Sequence, residues 1–137
     1  MNSYLEHLKY DGLSGMFRQA VILMLLIFPM AIAANQTMID SATIQLDKVT
    51  AGNMVTITPV VSDLPDGDYL YRMGLVKKGR SGNSSSNQSG RFTVSGDAPT
   101  KLSTTSINLS PSDICELTVT VLLEERPVLE KRFQCLP

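Results

Sequence analysis

Residues Thr100 to Cys135 read TKLSTTSINLSPSDICELTVTVLLEERPVLEKRFQC, and they contain both cysteines of the chain. Apolar and polar residues alternate in three runs within this segment: 102–109, 115–123 and 128–135. Between the first two runs, Ser110 to Asp113 supplies a proline that presets φ, with Ser and Asp side chains that can hydrogen-bond their own backbone. The period-2 alternation predicts three half-buried strands.

The last two runs predict an antiparallel hairpin that folds back around Glu125. This register brings together three pairs of residues: Cys115 with Cys135, Leu117 with Phe133, and Val121 with Leu129. Because one register matches the thiols and the core residues together, we expect this pairing to form.

The beginning of the chain predicts export. An apolar run from Ala20 to Met30 is followed by Ala31-Ile32-Ala33, which has small residues where a signal peptidase reads them. We therefore predict a cleaved signal peptide at residues 1–33 and a mature domain at residues 34–137, without stable membrane association after cleavage. A retained membrane anchor is the alternative, although the apolar stretch is shorter than the roughly 20 residues that span a bilayer.

Export decides how the cysteines are interpreted. In an oxidising compartment, two cysteines that do not form a CxxC pair indicate a structural disulfide, here Cys115–Cys135. The single histidine, His7, lies in the predicted signal peptide. The mature domain therefore lacks the Ser–His–Asp and Cys–His nucleophiles and any histidine metal site. We predict no enzyme activity, no metal and no cofactor.

Four further strands are predicted upstream: one at 42–47, then Met54–Ser62, Tyr69–Lys77 and Arg91–Ser95. Pro59 cannot donate a hydrogen bond to a ladder, so the second of these is expected to lie at a sheet edge or to be bulged there. In the third, the odd-numbered residues are expected to face the core. Lys78 to Gly90 is rich in Gly, Ser and Asn and is predicted to be a mobile loop.

Seven short strands in about 100 residues predict an all-β, immunoglobulin-like sandwich. A small Greek-key barrel is the alternative fold.

The charges are unevenly distributed. No acidic residue lies between Asp68 and Asp97, and this window contains five basic residues: Arg72, Lys77, Lys78, Arg80 and Arg91. Charge of one sign steers the encounter with an oppositely charged partner. An ordinary solvated loop is the alternative interpretation. Nucleic acid is not an expected partner, because no aromatic residues interleave with the basic ones.

The order of these motifs resembles a known family, the periplasmic curli-system chaperones of the CsgC and CsgH type. The matching motifs are VTITPVV, GRFTVSGDAP and TKLSTTSINLSPSDICELTVTV, and the Gly/Ser insertion is more similar to CsgH. The resemblance covers roughly Ala42 to Phe133. CsgC has a CxC pair on an early strand, and this chain does not, so no redox role is carried over.

The resemblance implies an immunoglobulin-like sandwich in the periplasm that keeps a curlin-type subunit from forming amyloid before export. It also implies transient contact with that subunit and with components of the curli secretion system. We take the five basic residues as the hypothetical client-binding surface. The alternative function is a structural or adhesin-type immunoglobulin-like module of an extracellular fibre or secretion system.

Overall fold

The structure, a computed structural model, describes residues 37–136. This part of the chain contains eight β-strands joined by turns and loops. In chain order they are β1 (Thr43–Ala51), β2 (Met54–Ser62), β3 (Gly67–Lys78), β4 (Ser84–Val94), β5 (Thr100–Lys101), β6 (Thr105–Asn108), β7 (Ile114–Leu123) and β8 (Arg126–Gln134). A search of these residues finds no helix with the length and apolar character needed to cross a bilayer. The predicted signal peptide lies outside the described residues.

The strands form two antiparallel sheets. In the first, β2 lies between β1 and the short strands β5 and β6, and in the second the order is β4-β3-β7-β8. The inward side chains of both sheets meet in one buried cluster, which includes Ile44, Ile57, Leu117 and Val119. The predicted all-β sandwich is confirmed.

The predicted strand 102–109 is shortened to β6 at Thr105–Asn108, and a separate short strand, β5, precedes it at Thr100–Lys101, so eight strands form rather than seven. Met54 pairs with Asn108 and Val60 pairs with Lys101, so the neighbouring chain has one residue more than β2 across this stretch. The extra residue lies opposite Pro59, which has no N–H to donate. Strand β2 is therefore central in its sheet, and the irregularity at Pro59 is an extra residue in its neighbour rather than a sheet edge.

The β7–β8 hairpin has the predicted register. Leu117 faces Phe133 and Val121 faces Leu129. The Cys115–Cys135 disulfide lies at the far end of the hairpin, where the Cys135 N–H donates to the Cys115 carbonyl oxygen at 3.0 Å.

The turn of this hairpin contains Glu124 and Glu125, with φ values of 49° and 65°. Positive φ at both central residues is the type I′ arrangement, whose twist matches that of the flanking strands. A bulge next to the turn shifts the pairing so that Leu122 faces Pro127.

The prediction of a loop for Lys78 to Gly90 is wrong from Ser84 onward. Residues Ser84 to Val94 pair with β3 in an unbroken register, and a short turn at 79–83 joins the two strands. Ser and Asn have low strand propensity, but propensity in sheets depends largely on the neighbouring strand. Strand β3 supplies that neighbour along the full length of the segment.

Replacing both cysteines with serine is expected to lower the free energy of unfolding by about 2–4 kcal/mol, because the disulfide closes a loop. The fold should persist, since the core contacts of the hairpin do not depend on sulfur. Urea unfolding followed by circular dichroism measures the change, and the reduced wild-type protein is the matched control. Equal stability of the double variant and the oxidised wild type would contradict this account.

Candidate functional site

The β3–β4 hairpin has one face in the core and one in solvent. The odd residues of β3 from Tyr69 to Leu75 are buried, as predicted. Arg72 lies on the opposite face and pairs with Ser89, while Leu70 pairs with Arg91. Arg72 and Arg91 therefore occupy diagonal positions on the outer face, a spacing of roughly 7–8 Å that long side chains can bridge.

An open groove follows this outer face. One cavity of about 590 Å³ is lined by Leu70 and Arg91 and by three carboxylates, those of Asp68, Glu124 and Glu125, among others. A second, of about 360 Å³, is lined by Arg72, Gly74 and Asn87, among others. A smaller cavity that includes Arg72 and Arg91 in its lining joins them. Such an open, shallow groove suits an extended chain better than an enclosed small molecule.

Four of the five predicted basic residues are exposed around this surface. Arg72 and Arg91 lie on the outer face, Lys78 is the last residue of β3, and Arg80 lies in the turn. We call these four residues the basic surface. None of them forms a salt bridge within residues 37–136.

Lys77 does not belong to the basic surface, and this part of the prediction is wrong. It occupies an odd position of β3, so it points into the sandwich and is only 8% exposed. Its ammonium group donates to the Asn108 carbonyl oxygen at 2.8 Å and pairs with Asp113 at 3.4 Å. The inward alternation of β3 was the sequence signal that could have identified Lys77 as buried.

The Asp113 carboxylate is the centre of a polar clasp between the β3–β4 turn and the loop before β7. It accepts hydrogen bonds from the Ser81 hydroxyl and from the Ser110 N–H, and it is only 6% exposed. The Gly79 backbone lies so close to this carboxylate that a Cβ would not fit. Sequence reasoning missed the clasp, because its members come from separate turns.

The clasp lowers the pKa of Asp113. The Ser81 hydroxyl has the largest effect, followed by the Ser110 N–H, while the Lys77 ammonium adds a smaller one. Each of these groups favours the ionised carboxylate, and burial opposes them.

Aromatic side chains hold the other end of β4 from the inner side. The Tyr71 hydroxyl is hydrogen-bonded to Ser103 of the opposite sheet. The Phe92 ring stacks on Tyr69, with the ring centroids 5.5 Å apart. A Cβ on Gly90 would lie 2.6 Å from the Tyr71 ring. Glycine is therefore required where Tyr71 crosses the strand.

The outer face of the β3–β4 hairpin is an exposed polar surface beside a strand edge. No group of three His, Cys, Asp or Glu side chains that could hold a metal ion occurs in the described part of the chain. The edge of strand β4 lies beside the groove and the basic surface. Together they offer hydrogen bonds and charge to an extended partner.

Comparison with known proteins identifies the family. The family model described as "thin aggregative fimbriae synthesis protein", Tafi-CsgC, matches residues 32–129. The chain belongs to this family. Membership confirms the resemblance to CsgC and CsgH and makes this a protein of the curli-assembly type.

Two solved structures are similar to this fold. The first is the E. coli curli protein CsgC, with 26% identity and a TM-score of 0.57 over 71% of this chain and 100% of CsgC. The second is R. palustris CsgH, with 18% identity and a TM-score of 0.55 over 68% of this chain and 91% of CsgH. A search of curated protein sequences finds no significant match.

Gly90→Ala is expected to lower the free energy of unfolding by about 1–3 kcal/mol, because the core and Ser103 prevent the Tyr71 ring from moving away. Gly74→Ala is the matched control in the same hairpin. Its Cβ would meet only the Asn87 side-chain oxygen, at 3.3 Å, which can rotate aside. Thermal unfolding compares the two variants, and an equal loss in both would contradict the role given to Tyr71.

Asp113→Asn is expected to lower the free energy of unfolding at neutral pH. It should also weaken the fall of that free energy as the pH is lowered into the acid range. A carboxyl group with a lowered folded-state pKa stabilises the fold above its unfolded-state pKa of about 4. That contribution is lost as the pH falls through the folded-state pKa. Urea unfolding between neutral pH and about pH 2 measures the effect. Asp97→Asn, at an exposed position, is the control, and parallel acid limbs for the wild type and Asp113→Asn would contradict the clasp.

Proposed function

We propose that this protein is a periplasmic chaperone that delays the amyloid assembly of a curlin-type subunit before its export. Membership of a curli-assembly family supports this role. The observation that carries the proposal is that Arg72 and Arg91 line the open groove of a hairpin without an acidic residue between Asp68 and Asp97. The periplasmic location depends on the predicted signal peptide.

The physical requirement for such a chaperone is fast, weak contact. Amyloid-forming segments grow by adding strands to an exposed edge. A protein that interrupts this growth must reach the nascent edge early and then leave the subunit competent for export. Charge steering raises the rate of encounter more than it strengthens the complex. The basic surface can provide this steering although the net charge of the whole chain is only −1.

The partners follow from this mechanism. The curlin-type subunit is held transiently, with its extended segments along the groove and its acidic groups facing Arg72 and Arg91. Components of the curli secretion system are further partners, since the subunit passes from the chaperone to them. No catalytic step, metal or cofactor is part of the proposal.

Replacing Arg72 and Arg91 with serine should shorten the lag that the protein adds to fibrillation of a purified curlin-type subunit. Two charges are lost from the surface that meets the subunit, so encounter becomes slower. Thioflavin fluorescence at a fixed molar ratio measures the lag. The lag produced by the wild-type protein should also shrink with added salt, because the Debye length falls from about 10 Å at 0.1 M to about 3 Å at 1 M.

Lys101→Ser with Arg126→Ser is the matched control, because it removes the same charge from exposed positions outside the basic surface. This variant should keep the wild-type lag. If both variants shortened the lag equally, the effect would depend on the net charge of the protein and not on the position of Arg72 and Arg91. A wild-type protein that assembles into fibres on a sizing column without delaying the subunit would support the structural-module alternative.

A further inference from the structure

Three of the four lateral edges of the two sheets are protected against strand addition. Strand β8 contains Pro127 and a bulge, and the Val128 carbonyl accepts the Ile39 N–H at 2.9 Å. On β1, the Ile44 carbonyl accepts a hydrogen bond from Lys131. The third edge is formed by the short strands β5 and β6, which are separated by the extra residue. Short strands, proline, bulges and charge are the features that blunt sheet edges.

The edge of β4 lacks these features from Ser84 to Gly90. The strand has 11 residues, pairs with β3 alone within residues 37–136, and keeps an unbroken register. From Ser84 to Gly90 it has no charge, no proline and no bulge. A long regular edge of this kind is a site for adding another strand.

The register shows which backbone groups of β4 face outward. Cys135 donates to the Cys115 carbonyl, so the odd residues of β7 near Cys115 point toward β8 and the even ones toward β3. Thr118 pairs with Gly74, and Met73 pairs with Gln88. The same alternation therefore directs the backbone N–H and C=O groups of even β4 residues toward β3.

The odd residues of β4, namely Ser85, Asn87 and Ser89, direct their backbone groups to the free edge. Their side chains share the outer face with Arg72 and Arg91. The free edge of β4 thus borders the outer face, where Asn87 and Ser89 line the groove together with Arg72.

Charge at the two ends of β4 decides what can occupy this edge. Arg91 follows the neutral run Ser84–Gly90, and Lys78 and Arg80 precede it in and beside the turn. If two copies paired antiparallel through β4, Arg91 of each copy would approach the basic turn of the other. Like charges in opposed positions destabilise a strand pair. At the Arg91 end, Asp68, Glu124 and Glu125 line the same cavity as Arg91. The basic turn therefore attracts a strand that has acidic residues where it meets Lys78 and Arg80.

We propose that the free edge of β4, from Ser85 to Ser89, adds an extended strand with a neutral run and with acidic residues at the end that meets the β3–β4 turn. This inference deepens the proposed function and rests on it, because it states how the amyloid-forming partner is held. The partner contributes backbone hydrogen bonds to Ser85, Asn87 and Ser89. Its acidic end lies near Lys78 and Arg80 at the β3–β4 turn.

The first test uses a synthetic peptide of Asn, Gln and Ser with a pair of glutamates at one end. At about ten times its Kd, the peptide should slow hydrogen exchange of the Ser85, Asn87 and Ser89 amides by about tenfold. The amides of Ser86 and Gln88, which already bond to β3, should change little. The same peptide with lysines in place of the glutamates should bind at least about tenfold more weakly.

The second test removes one outward N–H. Asn87→Pro should raise the Kd of the glutamate peptide by about tenfold, since a backbone bond is lost and a ring blocks the edge. Asn87→Ala keeps that N–H and should change the Kd less than about threefold. Thermal unfolding checks that both variants are folded. Ser89→Pro with Ser89→Ala replaces this pair if Asn87→Pro does not fold.

Several outcomes would overturn the inference. They are equal effects of proline and alanine, equal binding of the two peptides, peptide protection away from β4, or dimers formed through β4 in sedimentation experiments. Fibrillation assays separate this inference from the proposed function. If the wild type and Asn87→Pro delay curlin fibrils equally, the edge inference fails and the function stands. If the wild type causes no delay, the function fails, and peptide protection still reports on the edge.

Discussion

Strand β3 is paired along its length on both sides, with β4 on one side and β7 on the other, and this double pairing constrains the rest of the molecule. A strand held by two neighbours cannot slip by one residue without turning every side chain to the other face. Slippage would bury Arg72 and expose Tyr71. The basic outer face and the aromatic inner face are therefore two consequences of one register.

The same register explains how a segment of Ser, Asn and Gly becomes a strand. Local propensity disfavours it, and no apolar alternation marks it. Tyr71 and Phe92 hold its second half from the inner side, and the Asp113 clasp fixes the turn before its first half. The loop prediction considered the segment alone, whereas the strand depends on contacts with residues distant in the sequence.

Other parts of the structure were accessible from the sequence because their signals are local or self-consistent. The β7–β8 register follows from a single fold-back that matches Cys115 with Cys135 and two core pairs together. The bounds of β2 follow from its alternation. The ion pair between Lys77 and Asp113 could not be found in this way, because the sequence does not show that the end of β3 and the loop before β7 lie next to each other. Charge counting placed Lys77 on the surface, although the alternation of β3 directs it inward.

For the proposed chaperone, an unprotected edge creates a physical conflict, since such an edge can also template assembly. The sequence of β4 limits that risk. Its outward side chains from Ser85 to Ser89 are small and polar, so an added strand gains backbone bonds but little of the dry, interdigitated side-chain packing that stabilises amyloid. The cations around the run also oppose pairing between two copies of the chain. Together these properties favour an added strand that binds transiently and then leaves, as the proposed function requires.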